Sequence, residues 1–368
     1  NGVNSNITGN FRANSVTGDP ANNMNAGPGF LVETSGGNYD IVVGGVNPQD
    51  GNTFSSVRGA GVAFVMTDTG TGSFTIQNNT ITGIVDDGNA LTPYQGDGIN
   101  VSLVGSDALP SATAVLTRSD IIDNVIGDFT NPALGTAGSG VAVLLSENTA
   151  IEDLLVQGNR IGQAGNDNDP TTAANTADAG IEFSRLDNAE LNIVNPRPGD
   201  IRSVIIDANI VRNSGQAFGG DDPTTPLLEG SQVNGLSINV ANGIRDDIDF
   251  QARNNEFTDN TGNGVFLNTQ ADASLAVDLT NNVIENSGLD GIRMDGVEIV
   301  ANDLETQGGV WTKNTIRNNG QFGIAINSVA GGTIPLIIGQ NGVDPVDGKS
   351  FGNIIEFNGD DGIQTISG

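Results

Sequence analysis

Near its C-terminal end the chain carries two adjacent aspartates, Asp360 and Asp361, in the run Asn358-Gly359-Asp360-Asp361-Gly362. Asp86 with Asp87 and Asp246 with Asp247 repeat the arrangement. Paired carboxyl groups can hydrolyse a glycosidic bond, one as acid and the other as base or nucleophile, provided one of them is held protonated. Adjacent side chains on a strand point to opposite faces, however, so a sequential pair is not automatically a spatial pair. In this run the second aspartate also precedes a glycine, as Asp97 and Asp290 do, which is turn chemistry. The expectation is therefore no catalytic residue, with Asp360 and Asp361 as the alternative.

A second kind of chemistry is offered by two oxygen-rich stretches. One supplies Asp167, Asp169 and Asp178, the other Asp221, Asp222 and Glu229. Hard cations such as calcium take six to eight oxygen ligands, which such loops could provide. The spacing does not follow an EF-hand, because counting from Asp167 puts Thr172 where the invariant glycine belongs. No cofactor is required by this sequence, and calcium is the one it could bind.

Other chemistries are excluded by what is missing. With no cysteine there is no disulfide framework and no thiolate, and with no histidine the commonest general base and transition-metal ligand is gone. The net charge is -30 and the only lysines are Lys313 and Lys349, which argues against nucleic acid, whose phosphates need clustered cations. The same charge disfavours anionic membrane surfaces, and no apolar run approaches the roughly 20 residues that span a bilayer. Trp311, Tyr39 and Tyr94 are the only Trp and Tyr residues, few for the aromatic platforms of a sugar groove.

Any such residues must be positioned by a scaffold, and the scaffold is visible as a repeat. Residues 281–294 read NNVIENSGLDGIRM and residues 313–326 read KNTIRNNGQFGIAI. Gly followed by alternating apolar residues recurs ten times, at Gly29, Gly61, Gly98, Gly140, Gly180, Gly235, Gly264, Gly291, Gly323 and Gly362. Ahead of each lies Asn-x-apolar, with asparagines at 14 and 52 and then at Asn79, Asn124, Asn159, Asn209, Asn255, Asn282, Asn314 and Asn353. A third alternating segment, such as FTIQNN or AVDLTNN, precedes most of these asparagines. The period of two denotes strands, and strands separated by a whole repeat must stack in parallel rather than pair as hairpins.

The predicted fold is all-β: a single right-handed parallel β-helix, a β-solenoid of about ten coils with three short strands per coil, occupying residues 1–368. The Asn-x-Ile…Gly-Ile signature, as in Asn282, Ile284, Asn286, Gly288, Gly291 and Ile292, resembles the parallel β-helix repeats of the pectate-lyase-like superfamily. That resemblance implies lyases, hydrolases and epimerases as well as non-catalytic surface proteins. Asp360 and Asp361 are similar to the Gly-Asp-Asp piece of the polygalacturonases, but the histidine and Arg-x-Lys partners are missing, and an epimerase motif that includes histidine cannot be present.

Stacked equivalents sit about 4.8 Å apart, so the recurring asparagines are expected to bond in a column, tolerating the left-handed backbone of a corner, with the glycines supplying the same conformational freedom. Phe30, Phe64 and Phe183 are expected to stack inward. Insertions fall at one corner, at 82–97, 127–139, 162–179 and 212–234, and are expected to form a continuous ridge. A single coil cannot offset its ordering entropy, so neighbours above and below are needed; the chain reads as a segment of a longer protein, with end-to-end or lateral self-association expected. The functional expectation is an extracellular or cell-surface structural or adhesive role in a stalk, adhesin or filament, with a glycan or cell-surface partner. Polysaccharide lyase or glycoside hydrolase activity and a calcium-dependent binding module are the alternatives.

Overall fold

The computed structural model describes residues 2–3, 6–19, 27–86, 95–105, 114–146, 149–165, 179–186, 190–191, 204–215, 233–240, 249–269, 276–297, 309–328 and 336–367. The chain is a right-handed parallel β-helix. Three sheets of 11, 11 and 10 strands run the length of the molecule, and successive members of a sheet come from successive coils. The first sheet takes the strands that follow the recurring glycines, among them Asp97–Val104, Val141–Ser146, Ala179–Leu186, Asn234–Val240, Val265–Thr269 and Ile292–Val297. The second takes the segments that precede the asparagines, such as Gly70–Gln77 and Ala114–Ile122. The third consists of three-residue strands such as Thr80–Thr82 and Arg160–Gly162, which are the Asn-x-apolar units. Among the described residues no helix is long and apolar enough to cross a membrane.

Period-two alternation sends one residue in two inward, and parallel register lines them up. Ile99, Val141, Ile181, Leu236, Val265, Ile292 and Ile324 form one apolar column along the axis. Ile81, Ile126, Ile161, Val211, Phe257, Ile284 and Ile316 form another on the third sheet, and all seven are fully buried. Burying a side chain of this size contributes about 2 kcal/mol. Aromatic rings cluster inside the early coils, where Phe64 lies 4.9 Å from Phe74 and 6.1 Å from Phe30. Phe183 pairs instead with Phe250 of the second sheet, 4.6 Å away. Trp311 is buried, its indole N–H donating to the Val277 carbonyl at 3.0 Å.

Asparagines bond one to the next from Asn14 to Asn353. At each step a backbone N–H and an Nδ2 donate to the Oδ1 of the following coil, as Asn124 does to Asn159 at 3.0 Å for both bonds. Asn159 repeats this toward Asn209, and Asn282 toward Asn314. The second Nδ2 proton goes to a carbonyl of the preceding coil, Ile121 for Asn159. A shorter column stands five residues on: the amide N–H of Ser287 donates to Asn319 Oδ1, and Asn319 Nδ2 to Asn358 Oδ1.

The corner backbone and the recurring glycines differ from the sequence-based expectation. The left-handed corner residue is not the laddered asparagine but the one before it: Asn78, Asp123, Gly158, Ala208, Asn254, Asn281 and Lys313 all have positive φ. The recurring glycines have no positive φ at all. Their reason is space. A Cβ on Gly140 would lie 2.3 Å from Ile161 Cγ2 and 2.6 Å from the Gly180 carbonyl oxygen, and Gly61, Gly98 and Gly291 are crowded in the same way.

Candidate functional site

The first sheet has an outer face as well as an inner one, and the outer face is where chemistry-bearing residues gather. Register places Asn100, Ala142, Glu182, Ser237, Phe266 and Arg293 in one outward column. Two residues further along each strand, Ser102, Leu144, Ser184, Asn239, Asn268, Asp295 and Asn327 form a second. Outward residues of a solenoid are ordinarily wet, yet Asn100 and Ser237 are 1% and 0% exposed. Buried polar groups are stable only when hydrogen-bonded.

A network crossing four strands meets that requirement. Ser102 Oγ donates to Asn100 Oδ1 at 2.8 Å, and Asn100 Nδ2 donates to Asp97 Oδ2 at 2.8 Å. The other Asp97 oxygen accepts the Ser139 amide N–H at 2.9 Å. Ser139 Oγ donates to Glu182 Oε2 at 2.9 Å while accepting from the Ala179 amide at 3.1 Å. Ser184 Oγ donates to Glu182 Oε1 at 2.7 Å, and Asn239 Nδ2 links Ser184 with Ser237. Ser139 thus ties two carboxyl groups together, one through its amide and the other through its hydroxyl.

Burial pushes the Asp97 carboxyl up from its ordinary 3.8 to about 7; the nearby Glu182 charge adds to the rise, while bonds from Asn100, Ser139 and Gln95 oppose it. Burial raises Glu182 as well, against the hydroxyls of Ser184 and Ser139. Asp97 is 6% exposed whereas Glu182 is half-buried and reachable. One acid is therefore held close to half-protonated at neutral pH beside a second that solvent can reach, the division of labour that acid-base sites need. A raised carboxyl favours the folded state below its unfolded pKa and loses that contribution as pH climbs through the folded value. Between about pH 4 and pH 7 the shift at Asp97 corresponds to a loss of up to about 4 kcal/mol. The midpoint of thermal unfolding should fall across this window, and the fall should be smaller in Asp97→Asn. Equal slopes in both proteins would remove Asp97 as the cause.

Two coils further along the same face, Arg293 Nε donates to Asp295 Oδ2 at 2.8 Å and Nη1 to Asp290 Oδ2 at 3.3 Å. The Asp290 side chain is fully buried, and its other oxygen accepts the Phe322 amide at 2.9 Å. Burial raises its pKa, against that amide and the arginine. Asn327 Nδ2 donates to Asp295 Oδ1, while Asn327 Oδ1 is buried without a partner.

Asp97 and Asp290, assigned to turn chemistry by sequence, are thus buried acids wired into this face. Asp360 and Asp361 are exposed, and their backbones bond to the coil before: the Asp360 amide donates to Gln321 and the Asp361 carbonyl accepts from Gly323. Neither joins the network. Asp167, Asp169, Asp178, Asp221, Asp222 and Glu229 lie outside the described residues, as do Asp87, Asp246, Asp247, Tyr94, half of the 82–97 insertion and most of the 162–179 and 212–234 insertions. Among the described residues no group of three or more Asp or Glu is placed to hold a metal ion. The 127–139 insertion is described, and it lies across the third sheet, with Phe129 under Arg160 and Arg212 at 4.9 and 5.5 Å and its carbonyl accepting from Gln163 and Asn213.

Sequence reasoning missed Ser139 and Glu182. The only signal is that Glu182, in Gly180-Ile181-Glu182-Phe183, is an acid at an outward position that the other coils fill with Leu31, Ala63, Asn100, Ala142, Ser237, Phe266, Arg293, Ala325 or Gln364.

No family model matches the chain, and no curated protein matches it. Solved structures similar to it include a periplasmic alginate epimerase, AlgG, at 9% identity over 91% of this chain and 77% of that one, with a TM-score of 0.35. A double mutant of AlgG is 12% identical over 91% of this chain and 74% of that one, with a TM-score of 0.43. The Azotobacter vinelandii mannuronan C-5 epimerase AlgE4 A-module is 13% identical over 92% and 88%, with a TM-score of 0.25. No functional residue is carried over from these similarities.

Proposed function

We propose that this β-helix is a secreted protein that binds an extended glycan along the outer face of the first sheet and hydrolyses it, with Glu182 as the carboxylate that meets the substrate and Asp97 as its protonated neighbour. The observation that carries the reading is the Asp97–Ser139–Glu182 connection: two carboxyl groups, both pushed up by burial, tied through one serine on the outer face of the sheet. At neutral pH a rod gains nothing in stability from a carboxyl that resists ionisation, whereas acid-base cleavage of a glycosidic bond uses such a group. The columns repeat about every 4.8 Å along the axis, which suits a linear polymer lying across successive strands.

Release of new reducing ends from a panel of acidic, neutral and basic polysaccharides tests this. Glu182→Gln and Asp97→Asn should each lower the rate by about 10²- to 10⁴-fold, with the circular dichroism of the folded protein retained. Turnover unaffected by either change would refute the assignment.

A second reading is supported by the ladder from Asn14 to Asn353, which stiffens every coil whether or not the outer face does chemistry. It is a structural or adhesive rod for a cell-surface stalk or filament, holding a glycan without cleaving it. Tight binding to a glycan with no bond cleavage at any pH would select it.

A further inference from the structure

The outer face of the first sheet also bears on which glycan it holds, and the inference rests on the proposed glycan-binding role of that face. Solvent can reach Glu182, Asn239, Phe266, Arg293, Asp295 and Asn327, all half-buried. Register sets Phe266 directly beside Arg293 on the next strand and Ser237 between Glu182 and Phe266. The track therefore runs from one carboxylate, across an aromatic ring, to a guanidinium cluster.

Among the described residues the one cation on this track, Arg293, is already engaged. Arg293 is 32% exposed, but its Nε is held by Asp295 and its Nη1 by Asp290. A ligand carboxylate arriving there would meet a guanidinium flanked by two acids, with Glu182 three strands away and a net protein charge of -30 around it. Like-charge juxtaposition of this kind costs binding energy. What the track offers instead is acceptors: the Glu182 and Asp295 carboxylates. An ammonium group carries three donors and no acceptor, and a sugar ring that bears one can lay its apolar face or its cation on Phe266.

We infer that the face is selective for a polymer of amino sugars with free amines, and discriminates against polyuronates. Glu182 and Asp295 receive the ammonium groups, and Phe266 is the platform between them.

The test is equilibrium binding of the whole protein to three soluble oligomers at about pH 6: glucosamine oligomers, their fully N-acetylated counterparts, and oligogalacturonate. The amine-bearing oligomer should bind at least about tenfold more tightly than the acetylated one, and oligogalacturonate least. The double variant Glu182→Gln/Asp295→Asn should erase that preference. Asp123→Asn/Asp259→Asn removes the same charge at corner positions of positive φ that asparagine tolerates, and should leave the preference intact. Equal binding of acetylated and free-amine oligomers, or equal losses in the two double variants, overturns the amine selectivity and leaves the glycan-binding role standing. Binding of none of the three overturns both.

Discussion

Replacing Asn159 by alanine should cost about 4 kcal/mol of folding stability, read as a shift in the denaturant midpoint at unchanged slope. Asn159 Nδ2 donates to Ile121 O and Asn209 Oδ1, at 2.9 and 3.0 Å, and its Oδ1 accepts from both Asn124 N and Asn124 Nδ2 at 3.0 Å. All four bonds vanish with the side chain, and the side chain is fully buried. A buried hydrogen bond contributes about 1 kcal/mol net, and donors left without acceptors cost more. The same change at Asn14, where the asparagine is exposed and donates to Asn52 without accepting from an earlier rung, should cost under about 1 kcal/mol. Equal costs at the two positions would mean that the column does not act as a connected stack. Asn159→Asp separates size from hydrogen-bonding capacity: it keeps the shape but has no donor for Ile121, and it should be at least as harmful as alanine.

The other large effect is expected at the glycine column. Gly140→Ala adds a single methyl group, which on most strands is neutral or favourable. Here that methyl would sit 2.6 Å from the Gly180 carbonyl oxygen and 2.3 Å from Ile161 Cγ2. A backbone oxygen cannot rotate away, so the coils must separate locally and the apolar columns on both sides lose contact. Overpacking of this kind costs about 1–3 kcal/mol where side chains can adjust. With backbone on one side of the clash the cost should exceed 3 kcal/mol, visible as a fall in melting temperature or as failure to accumulate folded protein. Pairing Gly140→Ala with Ile161→Val, which removes a methyl from the crowded neighbour, should recover part of the loss. If Gly140→Ala alone melts like the parent, the steric account of the repeat is wrong.

The two columns show what a sequence can and cannot reveal about this fold. Winding is legible because its signals are local: alternation within a strand is visible over five or six residues, and Asn-x-apolar and Gly-apolar-x-apolar return once per coil. The reasons behind the recurrence are less legible. Gly140 and Gly36 are the same letter, but Gly36 has a φ of 67° while Gly140 is crowded by the next coil, and only coordinates separate the two causes. Asn281 and Asn282 are likewise adjacent and identical, yet the first turns the corner at a φ of 56° and the second bonds in the ladder.

The candidate site was legible only at its edges. Asp97 and Asp290 are conspicuous before glycines, and turn chemistry explains them adequately until their burial is known. Glu182 and Ser139 come from different coils, 43 residues apart, and meet because parallel register brings them together. An outward position is ordinarily polar and wet, so nothing in the alternation marks Asn100 or Ser237 as dry. That dryness turns an ordinary carboxyl into one that holds its proton near neutral pH.

Because every strand lies across the axis, the backbone bonds that join one coil to the next point along it. Tension applied through the two termini therefore loads only the outermost turn, and the chain should unspool one turn at a time, each step resisted by a single rung of hydrogen bonds and its share of apolar contact. Such a coil should yield gradually under load and rewind from the turns that remain.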